Sequence, residues 1–301
     1  MKKKWRHRIE YLVFLGFQFW FWFLPAQWVS QFGSVIGLLC YTMGIRKGIV
    51  ERNLEIAFAS RYSPAERKAL AKKVYWNMGA VFFEFLKLSF VPPQKIPRLI
   101  QIDGLKILEQ VKSEGHGAVL AGAHFGNWEL LSAGTSVMGF PIFGYTGQQK
   151  NLLVDDAINR IRRRFGMITI SKSGQSSRAM IKALKNNQVL AIGADLNVPH
   201  DQLFVDFFGE KAAVGQGQAI FTLKLKTPLL FFWNERVGRF KYRGHIERLK
   251  YEVTGDLESD RQHIAQLISD RLEEVIGQYP DHYFWFHRRW KTRPPGESGL
   301  Y

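Results

Sequence analysis

AVLAGAHFGNWELL, residues 118–131, begins as a short apolar run, reaches His124, bends through Gly126 and Asn127, and resumes at helical spacing from Trp128. The run reads as a strand and the segment from Trp128 as a helix, with glycine relieving the bend and asparagine capping the helix. His124 therefore sits at the end of a strand, where ligands bind in open α/β sheets. The stretch leaves one question open: His124 and Glu129 are either a catalytic pair or the polar trim of a buried strand.

The same alternation runs outward in both directions. AVLAGA (118–123), PIFGY (141–145), MITI (167–170), VLAIGA (189–194) and PLLFFW (228–233) read as strands, separated by helical patterns such as LLVDDAINRIRRRF and SSRAMIKALKNN. RFKYRGHIERLKYE (239–252) is more polar and alternates, and reads as an edge strand. Alternation of this kind implies an α/β fold with a mostly parallel or mixed central sheet covered by helices on both faces. Ahead of it, Ser63, Pro64 and Glu66 form a capping box at the start of a long helix that ends before Pro92-Pro93. No repeat, low-complexity stretch or long linker divides the chain after residue 46, so residues 46–301 are expected to form one domain.

The first 45 residues differ from the rest. A basic head precedes Ile9–Leu24, a stretch carrying Phe14, Phe17, Phe19, Trp20, Phe21, Trp22 and Phe23. As a helix it extends roughly 24 Å, short of the ~30 Å hydrocarbon core of a bilayer. No small-x-small cleavage site comes after it, which disfavours a secretory signal. Aromatic excess beside basic residues suits the membrane interface, so residues 1–45 read as an N-terminal membrane anchor; a buried core helix is the other reading. Val29–Met43, interrupted by Gly33, Ser34 and Gly37, either packs back on the first segment or extends the membrane contact.

Composition narrows the chemistry. The 301 residues carry 42 Lys and Arg against 26 Asp and Glu, a formal charge of +16, which points to an anionic partner: nucleic acid, a lipid surface, a phosphorylated substrate or an acidic carrier. One cysteine excludes an intrachain disulfide framework, and the eight histidines lack ligand spacing, so neither metal nor cofactor is expected. The aromatics cluster in the N-terminal run and are not interleaved with basic residues, which argues against nucleic acid.

If both lay within one helix, His124 and Glu129 would stand about 140° apart around its axis. They can meet only if His124 is in the turn and Glu129, in the first helical turn, reaches back. A carboxylate holding a neutral imidazole is the arrangement that pulls a proton from a hydroxyl. With no Gly-x-Ser-x-Gly elbow, direct attack by a substrate hydroxyl is favoured over a covalent enzyme intermediate.

HFGNWE (124–129) resembles the His-x-x-x-x-Asp/Glu signature of glycerolipid acyltransferases, and its Asn-Trp and terminal Glu resemble the bacterial lipid A biosynthesis acyltransferases, the late lauroyl and myristoyl transferases. NRIRRRFG (159–166), IGADLN (192–197), VDFFGEKAAVGQG (205–217) and YFWFHRRWKTRPPG (283–296) are similar to further signatures of that family, in the same order. The resemblance covers nearly the whole chain. It implies transfer of a fatty acyl chain from acyl carrier protein to a hydroxyl of a lipid A precursor glycolipid, at the cytoplasmic face of the inner membrane. It also implies His124 as general base, Glu129 as its orienting partner, and Asn127, Arg162, Arg164 and Asp195 as substrate-binding candidates. Phosphatidylinositol mannoside acylation from acyl-CoA, on the same fold and signature, is the alternative, and an inactive membrane scaffold a third. In the closing tail, Arg288, Arg289, Lys291 and Arg293 come after Tyr283–Phe286, an order that places rings at the interface and charges among headgroups, unless the tail simply packs on the domain.

Overall fold

The structure, a computed structural model, describes residues 2–172 and 174–301, with side chains described from Trp5 onward. Four helices open the chain: α1 (Lys2–Phe23), α2 (Ala26–Thr42), α3 (Lys47–Phe58) and α4 (Pro64–Leu88). Ser63 and Glu66 form the reciprocal cap expected at the start of α4: the Ser63 hydroxyl accepts from the Glu66 N–H, and Glu66 accepts from the Ser63 N–H at 2.8 Å. Alternation begins after it, with β1 (Ile100–Asp103), α5 (Leu105–Glu114), β2 (Ala118–Gly122), α6 (Trp128–Val137), β3 (Ile142–Thr146), α7 (Leu152–Arg164), β4 (Ile168–Ser171), α8 (Ser176–Lys185) and β5 (Val189–Gly193). A hairpin of β6 (Gln202–Phe207) and β7 (Glu210–Gly215) comes next, then α9 (Gly217–Leu225), β8 (Leu229–Gly238), β9 (Lys241–Arg248) and α10 (Leu257–Gln278).

The main sheet has the order β1-β9-β8-β2-β5-β3-β4, and only the β8–β9 pairing in it is antiparallel. Alternate residues of β2 point to opposite faces. Val119 and Ala121 enter a core shared with α3, α4, α8, α9 and α10, while Ala118 and Leu120 enter one shared with α5, α6 and α7. Both layers are dry at this strand, which is why its sequence shows no polar alternation.

One expectation needs correcting. β9 is not an edge strand: β1 pairs along its outer side, and Tyr242 within it is buried. β1 spans only four residues, so it left no clear pattern, and Lys241, Arg243, His245 and Glu247 of β9 lie on one face of an internal strand.

The first two helices are joined to the rest. α2 packs on α4 rather than back on α1 alone, and glycines set the distance: a Cβ on Gly37 would lie 2.0 Å from the Tyr75 carbonyl oxygen, and one on Gly79 would lie 2.2 Å from that of Gly33. Small residues in such a row let two helix backbones touch. α1 rests Phe17 and Phe21 on Phe83 of α4, with ring centres 5.4 and 5.5 Å apart, and the Lys87 ammonium donates to the Leu24 carbonyl at 2.7 Å. Phe21 is buried, but Trp5, Ile9, Leu12, Phe19, Trp20, Trp22 and Phe23 are exposed, so α1 is not a core helix. Among the described residues no single helix is long and apolar enough to cross a membrane; α2 and α3, bent by 92°, meet the length and composition only as a pair.

Candidate active site

Parallel pairing builds the centre of the site. β2 and β5 are neighbours in register, with Gly122 opposite Gly193. Two residues beyond each glycine stand His124 and Asp195, so the two side chains leave the same edge of the sheet side by side. Asp195 is fully buried; both carboxylate oxygens lie 3.1 Å from His124 Nδ1, and Oδ2 also accepts from the His124 backbone N–H at 3.1 Å. Burial alone would lower the pKa of His124, but the Asp195 carboxylate outweighs it and raises the pKa above that of an ordinary imidazole, with Glu129 adding to the rise. Asp195 moves the other way: burial would raise it, and His124 holds it well below the carboxylate range.

With Nδ1 committed to Asp195, Nε2 is the nitrogen left to act. The His124 side chain is 32% exposed, and its ring is walled by Trp128 and Phe284 at centroid distances of 5.0 and 5.9 Å. The aromatic walls keep water from surrounding the ring while leaving one side open. Among the described residues no serine or cysteine hydrogen-bonds to His124, and no group of three or more metal-ligating side chains is present.

The turn between β2 and α6 takes the predicted form. Gly126 has φ +55°, and a Cβ there would meet the Asn234 carbonyl oxygen at 2.2 Å. Asn127 caps α6 by accepting from the Leu130 N–H at 2.9 Å. Asn127 is 0% exposed and its amide nitrogen donates to Glu84 at 2.9 Å, so in this structure it holds the turn.

Glu129 is also placed differently from expectation. It lies in the first turn of α6, where its charge favours the helix N-terminus, but it turns to Arg162 instead of back to His124. Arg162 Nε and Nη2 donate to its two oxygens at 3.1 and 2.5 Å, and Nη1 lies 3.4 Å from Asn159 Oδ1. Burial would lower the pKa of Arg162; Glu129 outweighs it and raises it. The carboxylate that faces the imidazole is therefore Asp195, 71 residues further along the chain, because strand order sets that contact and local spacing does not. Arg164, two positions on and about 200° around the helix axis from Arg162, is exposed at the end of α7 and is not brought to this pair.

Sequence reasoning missed several residues. The closing tail packs on the domain: Tyr283, Trp285, Arg289 and Trp290 are buried, Arg289 Nη1 donates to the Ala213 carbonyl at 2.8 Å, and its guanidinium lies over the Phe207 ring. The tail backs the site, with the Phe284 N–H donating to the His124 carbonyl at 2.9 Å. His287 Nε2 lies 3.0 Å from the Asp195 carbonyl oxygen and its Nδ1 2.9 Å from that of Phe284, so the ring ties the loop that carries Asp195 to the tail, and burial pushes its pKa down to about 4. Glu84 is the single polar residue in the apolar run AVFFEFL, and a carboxylate in such a run is itself a signal that it has buried partners.

Residues 1–292 match the profile of the bacterial lipid A biosynthesis acyltransferases. The chain is 26% identical over 288 residues to the lipid A biosynthesis palmitoleoyltransferase of Escherichia coli, covering 94% of this chain and 91% of that one. It is 29% identical over 286 residues to the lipid A biosynthesis lauroyltransferase of the same organism, with 92% and 90% covered. A phosphatidylinositol mannoside acyltransferase of Mycobacterium tuberculosis is 25% identical over 230 residues, covering 71% of this chain and 68% of its own. By a match that extends through the helical N-terminus, the sheet and the buried tail alike, the chain belongs to the bacterial lipid A biosynthesis acyltransferase family.

Proposed function

We propose that this acyltransferase moves a fatty acyl chain from the thioester of acyl carrier protein to a hydroxyl of a lipid A precursor, with His124 as general base. The observation that supports this most directly is the Asp195–His124 pair, its outward nitrogen set between Trp128 and Phe284 at the sheet edge. Asp195 holds the proton on Nδ1, so Nε2 accepts the proton of the acceptor hydroxyl as its oxygen attacks the thioester carbonyl. The tetrahedral oxyanion then collapses, the C–S bond breaks, and the imidazolium returns its proton to the departing thiolate. Glu129 acts at one remove: it fixes Arg162 at the rim of the site, where the remaining guanidinium edge faces anionic groups of the acceptor.

The exposed aromatics of α1 and α2 support a seat at the membrane interface, with the basic residues among lipid headgroups at the cytoplasmic face of the inner membrane. The excess positive charge suits the two anionic partners, the carrier protein and the phosphorylated glycolipid.

The test is transfer by purified enzyme from acyl carrier protein thioester and from acyl-CoA to a lipid A precursor. The parent is expected to use the carrier-bound donor, and His124→Ala to lose about two to four orders of magnitude in rate while staying folded. Near-parental turnover by His124→Ala removes the mechanism; exclusive use of acyl-CoA removes the proposed donor.

A further inference from the structure

Behind the His124 turn, four side chains from different parts of the fold converge on Glu84 in the middle of α4. Glu84 is fully buried. Its Oε1 accepts from Ser30 Oγ of α2 and from Arg236 Nη1 of β8, both at 2.6 Å. Its Oε2 accepts from Asn127 Nδ2 at 2.9 Å, from Tyr242 Oη of β9 at 2.6 Å and from Arg236 Nη2 at 3.3 Å. A buried carboxylate is costly unless its lone pairs are used and its charge matched, and here both conditions are met.

Asn127 links this cluster to the site. Its amide oxygen caps α6, its amide nitrogen reaches Glu84, and its backbone N–H donates to Asn234 Oδ1 at 2.9 Å. The preceding Gly126 N–H donates to the His282 carbonyl at 2.9 Å, and His282 Nε2 accepts from the Arg236 backbone N–H at 3.0 Å. The turn with His124 at one end and Glu129 at the other is thus held from below by a charge pair that touches neither. A buried ion pair is often no more stabilising than apolar side chains of the same size, so fixing an arrangement is the better account of this one.

We infer that Glu84 is a positioning residue for acyl transfer: by holding the Asn127 cap it keeps His124 against Asp195 and Glu129 against Arg162. The inference rests on His124 being the base. Because Ser30 contributes to the same carboxylate, the α1–α2 segment and the turn share one anchor.

The test is steady-state transfer, normalised to folded enzyme, in two variants. Glu84→Met with Arg236→Met removes the charge pair as a unit, so no charge is left buried alone. Asn127→Asp keeps a capping oxygen but sets a second carboxylate against Glu84. Each is expected to keep the donor KM within about twofold and lower kcat about 100-fold, the usual effect of a displacement near 1 Å. Each is also expected to shift the acidic limb of the pH profile to lower pH, as His124 parts from Asp195. Parental kcat in a folded variant, or a deficit that leaves the acidic limb in place, overturns the inference; if the double variant does not fold, Asn127→Asp decides by the same criteria. His124→Ala in parallel separates the two readings. Activity surviving there removes the base itself, whereas an inactive His124→Ala beside fully active Glu84 and Asn127 variants removes only the positioning role.

Discussion

Replacing Asp195 with asparagine tests the site at its most specific point. Both carboxylate oxygens lie 3.1 Å from His124 Nδ1 and Oδ2 also accepts from the His124 backbone N–H, so an amide keeps its oxygen at the Oδ2 position and sets its NH2 at the Oδ1 position, against Nδ1. That favours the tautomer with the lone pair on Nδ1 and the proton on Nε2, the wrong one for a base facing outward. The imidazolium formed during transfer also loses its counter-charge. Together these should lower kcat by about 10³ to 10⁴, or roughly 4–5.5 kcal/mol of barrier. The pH profile gives an independent reading. A general base must be neutral, so the rate rises with pH through its pKa; in the parent, Asp195 places that limb above the ordinary value of about 6.5. Without the carboxylate, burial is the largest influence left, against a smaller rise from Glu129 and with a lowering from Arg162, and the limb should move below about 6.5. Stability changes with its own sign. The raised His124 stabilises the fold below its unfolded pKa and loses this as pH rises through the folded one; the lowered Asp195 stabilises above its unfolded pKa and loses this as pH falls. The variant's deficit in thermal midpoint should therefore be widest between about pH 4 and 6.5, where both groups are charged. Initial rates of transfer across about pH 5 to 9, with thermal unfolding over the same range, measure both effects. Parental kcat in Asp195→Asn, or an acidic limb that does not move, would refute the assignment.

Glu129→Gln and Arg162→Met should each reduce transfer and combine non-additively, with a coupling of about 0.5–3 kcal/mol in a double-mutant cycle on kcat/KM; additive losses would show that the two act separately. Arg289→Glu should destabilise the protein by at least several kcal/mol rather than alter acceptor choice, because the side chain is 1% exposed and its donors face a carbonyl; a folded variant with a thermal midpoint near the parent's contradicts the burial. If the carrier is recognised by charge, raising ionic strength from about 0.05 to 0.5 M shortens the Debye length from roughly 14 to 4 Å, and the donor KM should rise several-fold with kcat unchanged. A donor KM indifferent to salt would assign the positive charge to the lipid side.

Local chemistry was legible in the sequence because its causes lie within a few residues. The Ser63–Glu66 cap, the dry strand at 118–122 and the glycine and asparagine of the His124 turn each depend on neighbours in the chain, and each forms as read. So does the alternation that implies a mostly parallel sheet covered on both faces. What the sequence could not supply was which strand lies beside which. His124 and Glu129 are close in sequence, which suggests a pair, yet α6 carries Glu129 to Arg162. Asp195 reaches the imidazole because β5 is the parallel neighbour of β2 and Gly193 is level with Gly122. The same holds for the tail, whose rings and arginines suit a membrane surface by composition, yet Tyr283, Trp285, Arg289 and Trp290 are buried against β6, β7 and the His124 turn. Periodicity records whether a residue faces a core or water within its own element; the partner it meets there is decided by strand order and register, contacts that only the assembled sheet brings within hydrogen-bonding distance.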